Sequence, residues 1–465
     1  MNPILSAPHF DAALIARYDN AGPRYTSYPT ALQFGPDFDE DALRSTIAAS
    51  NEEPIPRPLS LYVHVPFCRS PCFYCGCSRV ITRDAARADA FLQHLQCEIV
   101  QVSSWFDADR AVRQLHFGGG TPNFLDIGRM RMLLGTLASH FTFADRTERE
   151  FGIEIDPRFA DADYIQGLGE LGFNRLSVGI QDFDTPVQRA VNRIQSVRQT
   201  RDVLVAARSA GFRSISVDLI YGLPMQTLEG FDRSLDEVIA LAPNRVAVYG
   251  YAHMPQLFKA QGQIDAADLP DPALRLQLFG RALERLSGAG YRYIGMDHFA
   301  RVDDELVLAQ QRGTLQRNFQ GYSTHGNCDI VGLGPSAISR IGDSYSQNLR
   351  DLDGYYAALA AGHAPVARGI VLDDDDILRR ELINALMCHG ELDTATFAAT
   401  HRIDFASYFA DSLARLKTLA EDGLVTMDAR YLRVTAKGRL LLRAIAMCFD
   451  RYLAPERATG YSRVI

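Results

Sequence analysis

The chain has 465 residues, 47% of them hydrophobic, with 48 Lys plus Arg against 56 Asp plus Glu. That length is ample for about two to three domains, or for one large α/β barrel with an appendage, and it excludes a disordered chain or a disulfide-stapled miniature. A net charge of −8 disfavours a general binder of nucleic acid or anionic membrane, and no apolar run of about 18 residues is present to span a bilayer. Residues 1–11 lack the basic and continuous apolar regions of a secretory signal, so a cytoplasmic protein is expected.

The first fifty residues read as loop-rich, with a polar aromatic segment at 23–29. Short β-rich runs then recur at 61–66, 113–117, 151–155, 175–180, 214–220 and 245–251, with amphipathic stretches between them. The stretch 197–210 is closed by Gly211, a helix-stop signal. A later helix has Asp271 as its cap, Pro272 in its first turn, and Leu276, Phe279, Leu283 and Leu286 on one stripe. Alternating strand and helix implies parallel strands, and six units make most of a barrel. Runs at 293–296 and 330–333 extend the sheet. The last hundred residues change character. Asp373 to Asp376 precede a helical run, a second helix is expected over 407–419, a hairpin over 423–434, and a last helix over 438–452. The predicted fold is therefore α/β: a partial (β/α)6 TIM-like barrel with extra strands, an N-terminal extension and a mainly helical C-terminal domain. The boundaries are 1–52 for an extension covering the active site, 53–362 for the barrel and 363–465 for the C-terminal domain.

The strand ends share a polar character. They read Cys68, then Gly118-Gly119-Gly120-Thr121-Pro122, Glu154-Ile155-Asp156, Gln181-Asp182, Asp218 and Tyr251-Ala252-His253. In parallel barrels the carboxyl ends of the strands build the active site. Six polar ends in succession point to one rim.

Four of the eight cysteines, Cys68, Cys72, Cys75 and Cys77, fall within ten residues. Cys97 and Cys448 stand in helix-like apolar contexts and read as small buried hydrophobes. The spacing Cys68-x3-Cys72-x2-Cys75 follows a strand and suits an iron–sulfur cluster. A cubane held by three cysteines keeps one iron free for a small molecule. The competing reading is a structural zinc site with Cys77 as fourth ligand, although no second paired knuckle is present.

With this loop followed by Gly118–Pro122, the sequence resembles the radical S-adenosylmethionine (SAM) enzymes. The resemblance narrows through Tyr62-Val63-His64-Val65-Pro66-Phe67-Cys68, the added Cys77, Glu154-Ile155-Asp156-Pro157-Arg158, Gly179-Ile180-Gln181-Asp182-Phe183 and Val191-Asn192-Arg193. Asp218 to Pro224, Met296 to Arg301, Asn318-Phe319-Gln320-Gly321-Tyr322, the segment 23–29 and the closing residues 462–465 continue it. Together they are similar to the oxygen-independent coproporphyrinogen III oxidase family, from about residue 18 onward.

That resemblance implies an oxidoreductase of haem biosynthesis with one 4Fe-4S cluster and SAM. The cluster's electron cleaves SAM, and the resulting 5′-deoxyadenosyl radical takes a hydrogen from a propionate β-carbon of coproporphyrinogen III. Loss of carbon dioxide and one electron leaves a vinyl group, and two propionates react to give protoporphyrinogen IX. Position by position, the resemblance makes Cys68, Cys72 and Cys75 the cluster ligands. It places Tyr62, Gly119, Glu154 and Ile338 at the cluster-bound SAM, and Tyr74, Gly120, Thr121, Gln181, Arg193, Asp218 and Ala252 at a second SAM. His64, Cys77 and Gln320 are the expected catalytic residues. His64 reads equally as a satisfied core histidine, and Cys77 as a spare ligand, a relay or a packed thiol. Arg24, Arg301 and Arg317 are candidate clamps for the substrate's propionates. The expected partners are the small-molecule substrate and a flavodoxin- or ferredoxin-type reductant, with no nucleic acid, no membrane and a monomeric state. The alternative is a haem-binding transfer protein of the same superfamily, but such relatives generally lack the Cys77 extension and the 23–29 segment.

Overall fold

The computed structural model describes residues 7–453, so the expectations placed on residues 1–6 and 462–465 lie outside the described residues. A sheet of twelve strands forms its centre. The first six are β1 (Leu59–Val65), β2 (Val112–Gly119), β3 (Glu150–Ile155), β4 (Arg175–Gln181), β5 (Ser214–Tyr221) and β6 (Arg245–Gly250). The rest are β7 (Tyr291–Gly295), β8 (His298–Arg301), β9 (Asp329–Leu333), β10 (Ile338–Ile341), β11 (Ser344–Asn348) and β12 (Val366–Val371). Their order is β12-β11-β10-β9-β1-β2-β3-β4-β5-β6-β8-β7. β1 to β6 pair in parallel, each with the next, and β9 runs parallel along the other side of β1. The outer strands pair antiparallel. The chain is thus an α/β partial barrel of six parallel units with extra strands on both flanks.

Helices follow each barrel strand: α1 (Ala86–Ser103), α2 (Ile127–His140), α3 (Ala162–Glu170), α4 (Val197–Ser209), α5 (Leu228–Leu241) and α6 (Pro272–Gly288). Side-chain caps start α2 to α6, from Asp126, Asp161, Ser196, Thr227 and Asp271 in turn, and each accepts an otherwise unpaired backbone N–H. Ser196 and Gln199 form a reciprocal capping box. On β1, Leu59, Leu61, Val63 and Val65 are buried in the main core. The period of two sends Tyr62 and His64 to the other face.

The C-terminal region departs from the sequence reading in detail. β12 begins at Val366, beyond the boundary placed at 363, and pairs with β11 in the main sheet. Helix α7 (Asp374–His389) is capped by Asp373, as the aspartate run implies. The single helix expected over 407–419 is two, Phe405–Tyr408 and Ala410–Glu421, because Phe409 leaves helical geometry and packs against Phe405, Phe397 and Phe449. The hairpin is present as Val425–Met427 with Tyr431–Val434, joined by a third strand, Glu391–Asp393. The last helix is shorter than expected, a 3-10 turn (Gly438–Leu441) and one short helix (Leu442–Met447). Cys448 is buried as expected, but Cys97 is exposed. Cys97 falls off the stripe Ala88, Phe91, Leu95, Ile99 and Val102 that α1 turns inward.

Residues 22–28 cross from barrel to C-terminal region. Arg24 pairs with Asp297 at 2.6 Å, Arg443 donates to the carbonyl oxygens of Gly22 and Pro23, and Tyr25 donates to Asp450 at 3.0 Å.

Candidate active site

The cysteine loop leaves β1 through Phe67–Cys68, which pairs in parallel with Val80–Ile81 and so pins both ends of the loop. Inside it, Arg79 donates to the carbonyl oxygens of Cys72 (3.2 Å), Cys75 (3.1 Å) and Cys77 (3.3 Å). The segment 191–193 holds the loop from outside. Phe73 N donates to Val191 O at 3.0 Å, and Asn192 Nδ2 donates to Pro71 O at 2.8 Å.

The three motif cysteines and Cys77 line one cavity with Tyr74, Gly119, Gly120, Thr121, Glu154, Gln181, Arg193 and Asp218. Thr121 Oγ1 donates to Cys68 Sγ at 3.2 Å, while burial pushes the Cys68 thiol up to about 11. Arg193 Nη1 and Arg158 Nη2 stand 3.6 and 3.7 Å from Cys72 Sγ. The hydrogen bond from Cys77, with Arg79 nearby, lowers the Cys75 thiol to about 6, and the same bond raises Cys77. Among the described residues no three His, Cys, Asp or Glu side chains converge as a single bound ion needs. Zinc requires sulfurs at about 2.3 Å from one centre, whereas in a cubane each thiolate meets its own iron. The wider cysteine set, cationic flanks and open cavity fit the cluster.

The glycines are required by contact. A Cβ on Gly119, whose φ is +109°, would lie 2.7 Å from the His64 ring, and one on Gly120 would lie 2.8 Å from Phe67 O. A bulge between Gly179 and Gln181 turns the end of β4, and Gln181 takes φ +70° there. Arg193 is buried and bonds Asp156 (3.1 Å) and Gly179 O (2.6 Å), with Nε unpartnered among the described residues. Burial opposes ionisation of Asp156, yet Arg193 and Arg158 hold its carboxyl below the ordinary range. Burial, then the Glu154 charge, pushes Asp218 up to about 7, and Ser177 Oγ donates to it at 3.3 Å.

A second cavity occupies the barrel interior and adjoins the first at Glu154, Ser177 and Asp218, which line both. Gln320 lines it from the hairpin of Gln316–Asn318 and Gly321–Ser323, with its amide nitrogen unpartnered among the described residues. Ion pairs of Arg175 and Arg245 with Glu150, Asp304 and Glu305 close the floor. His116 lines the wall, with its Nε2 3.2 Å from Glu154 Oε1, and Tyr62 stacks on it from behind. His64 Nε2–H donates to Ser78 O at 2.9 Å, and burial keeps its imidazole below its ordinary range. Its Nδ1 faces the Tyr62 hydroxyl at 3.4 Å.

Four expected residues, Tyr62, His64, Ala252 and Ile338, are not among the lining of either cavity; Tyr62 and His64 stand behind His116 and Gly119, which are. Ala252 meets the rim through Gln261, which donates to the carbonyl oxygens of both Ala252 (3.1 Å) and Tyr74 (2.9 Å). Ile338 packs beside Phe34, Phe319 and Tyr345, with its backbone against Gly332, the register partner of Tyr62. The sequence reading placed Asp156 on the rim without a role and missed His116, Arg158 and Gln261 as site builders. His116 was within reach of it, two residues before Gly118 and so on the same strand face. The others are set by long-range contacts.

Residues 62–238 match the Radical SAM superfamily, and residues 372–441 match the HemN C-terminal domain. The chain is 51% identical over 467 residues to the oxygen-independent coproporphyrinogen III oxidase of Pseudomonas aeruginosa, covering 99% of this chain and 100% of the relative. It is 48% identical to the Escherichia coli oxidase of that name over 98% of each chain, and 41% identical to that of Synechocystis, again over 98% of each. The solved structure of E. coli coproporphyrinogen III oxidase (HemN), described as a radical SAM enzyme, superposes with a TM-score of 0.92 at 46% identity, over 96% of this chain and 100% of that one. These matches favour the oxidase over the haem-transfer alternative. With full-length identity of this order to such relatives and a matching fold, the chain belongs to the oxygen-independent coproporphyrinogen III oxidase family of radical SAM enzymes.

Proposed function

We infer that this chain converts two propionates of coproporphyrinogen III to vinyl groups without oxygen, giving protoporphyrinogen IX for haem biosynthesis. The observation that carries this reading is a pair of adjoining cavities. One is lined by the cysteine loop and the other by Gln320 inside the barrel, and Glu154 and Asp218 line both, within a chain matching this family end to end. A 4Fe-4S cluster and SAM, when bound, supply a low-potential electron and a carbon-centred hydrogen abstractor.

The residues that hold them are Cys68, Cys72 and Cys75 for the cluster, and Tyr62, Gly119, Glu154 and Ile338 for the SAM on it. Tyr74, Gly120, Thr121, Gln181, Arg193, Asp218 and Ala252 form the place for a second SAM. The chain's own work is positional. Glycine backbone permits close approach, Glu154 and Asp218 accept from hydroxyl or ammonium groups, and the walls exclude water and stray hydrogen donors. His64, fixed by Ser78 O, and Gln320, with a free amide, face the reacting carbon in this reading, and Cys77 stands by as a relay. Residues 1–52 cover the site, 53–362 form the barrel and 363–465 the C-terminal domain, with β12 reaching back across that boundary.

The reductant is a flavodoxin- or ferredoxin-type protein, and the working form is a cytoplasmic monomer. Among the described residues no helix is long and apolar enough to cross a membrane. The test is anaerobic turnover with SAM, a reductant and an electron acceptor. Carbon dioxide, 5′-deoxyadenosine and a divinyl tetrapyrrole are expected, with deuterium moving from the propionate β-carbon into 5′-deoxyadenosine. Tight haem binding by cluster-replete protein that leaves coproporphyrinogen III unchanged would overturn the reading.

A further inference from the structure

The three arginines from the family-like segments have different fates in the fold. Arg24 is committed to Asp297 at 2.6 Å. Arg301 has a half-exposed side chain and leans towards Asp303 at 3.4 Å. Arg317 is 8% exposed, and its Nε and Nη1 have no hydrogen-bond partner among the described residues. Its guanidinium carbon lies 4.9 Å from the centre of the Tyr322 ring.

Arg317 lines a third cavity, between the 316–323 hairpin, residues 25–28, β10, β11 and helix α7. Arg57, Arg340 and Arg380 line it as well. Arg380 is paired with Asp343 at 2.6 Å, and Arg57 lies 3.8 Å from both Glu53 and Asp329. Arg340 spends Nη2 on Gly326 O (3.0 Å) and Cys328 O (2.7 Å), and its Nε has no partner among the described residues. The acidic group in the lining, Glu381, is engaged by His401 at 2.6 Å. The cavity thus contains more cationic charge than its own carboxylates offset. A buried guanidinium without a partner is costly in a folded chain, and a carboxylate entering the cavity removes that cost through charge-assisted hydrogen bonds.

The place is suited to a substrate with several acidic arms. The Tyr322 ring beneath the Arg317 guanidinium lines the barrel cavity, as does His298, whose ring lies 5.5 Å from that of Tyr322. The cationic cavity therefore abuts the barrel on the hairpin side, while Glu154 and Asp218 stand where the barrel meets the cysteine cavity. An arm that reacts must point to the cysteine end, and arms that do not react need an anchor elsewhere. We propose that the Arg317 cavity, with Arg340 beside it, is a carboxylate subsite that holds a propionate the reaction leaves intact. The proposal rests on the function inferred above and names the residues that orient its substrate.

The test uses the full-length, anaerobically reconstituted protein with Arg317→Met and Arg317→Lys. Arg317→Met should raise KM for coproporphyrinogen III about tenfold or more, as loss of a charged hydrogen bond does. Iron content and SAM affinity should stay within about twofold, since the site is separate from theirs. Its thermal midpoint without substrate should be unchanged or higher, because an uncompensated buried charge has been removed, and Arg317→Lys should recover part of KM. An unchanged KM, or a lower midpoint with parallel loss of SAM binding, would overturn the proposal. Should Arg317→Met fail to fold, the ligand is varied instead. The unmodified protein should then show a KM about tenfold higher for a coproporphyrinogen whose two retained propionates are methyl esters. Equal KM for acid and ester overturns the subsite alone, whereas no turnover of coproporphyrinogen III overturns the functional reading and the subsite with it.

Discussion

His116 Nε2 lies 3.2 Å from Glu154 Oε1, and the same imidazole stacks on Tyr62 at 6.1 Å between ring centres. One histidine therefore ties neighbouring strands β1, β2 and β3 together at the mouth of the barrel. It fixes the Glu154 carboxylate, which is half exposed towards the cysteine cavity.

From that relationship, Glu154→Ala and His116→Ala should both weaken SAM binding, with the direct partner Glu154 the more damaging. A charged hydrogen bond is worth about 1.5–3 kcal/mol, so about tenfold or more in affinity is expected for Glu154→Ala. Iron and SAM binding are to be measured on the same anaerobic samples. Normal SAM affinity in both variants would remove these residues from the SAM site.

Serine in place of Cys68, Cys72 or Cys75 should abolish the cluster, while Cys77→Ser should keep about four irons per chain, the content of a cubane. The three lie in the loop that Arg79 organises through its carbonyls, and Cys77 is the exposed member of the four. Iron analysis and the low-temperature spin spectrum of the reduced protein decide it. Equal iron loss in Cys77→Ser and Cys75→Ser contradicts the assignment.

Glu98 on α1 predicts a slope of stability with pH. Burial pushes its carboxyl up to about 7, although Tyr355 Oη (2.6 Å), Gly334 N (2.7 Å) and Asn348 Nδ2 (2.6 Å) all donate to it. In the unfolded chain it titrates near about 4.3. Between those values the folded state keeps a proton that the unfolded state has released. Its stabilising contribution is therefore complete below about pH 4 and falls away as pH rises towards 7, by about 4 kcal/mol at most. Asp218, pushed up to about 7 chiefly by burial, adds a slope of the same sign. The thermal midpoint of Glu98→Gln should change less between pH 5 and pH 8 than that of the unmodified protein. An equal or steeper change in the variant would exclude this titration.

Arg110 and Asp329 form a pair at 2.6 Å with both side chains 1% exposed. Arg110 also donates to Arg57 O, Ser50 Oγ and Asn51 Oδ1, tying the N-terminal helix Glu40–Asn51 to the start of β9. Removing one partner strands a buried charge, so Arg110→Met should destabilise by about 3–5 kcal/mol. Asp329→Asn added to it should recover part of that loss, a sign of coupling that chemical denaturation of the four-member cycle reads directly. Simple additivity would mean that the pair acts through its other contacts.

The sequence by itself determined the barrel strands, to within a few residues at each end, because their apolar runs are bounded by strong local signals. It also determined the cap at Asp271, the acidic helix start at Asp373 to Asp376 and the cysteine loop, since helix-start signals and thiolate spacing are local properties of the chain. The long-range order needed the tertiary structure. Phe409 breaks an apolar pattern that reads as one helix, because ring packing against Phe449 outweighs local propensity. β12 joins the main sheet from a segment assigned to another domain, because backbone pairing across the chain leaves no local mark. Arginine fate is the sharpest case. Arg24, Arg301 and Arg317 look alike in sequence, and only the fold puts a carboxylate beside Arg24 and leaves Arg317 buried with free donors. A charge's worth depends on what surrounds it in space, and the tertiary structure alone sets those surroundings.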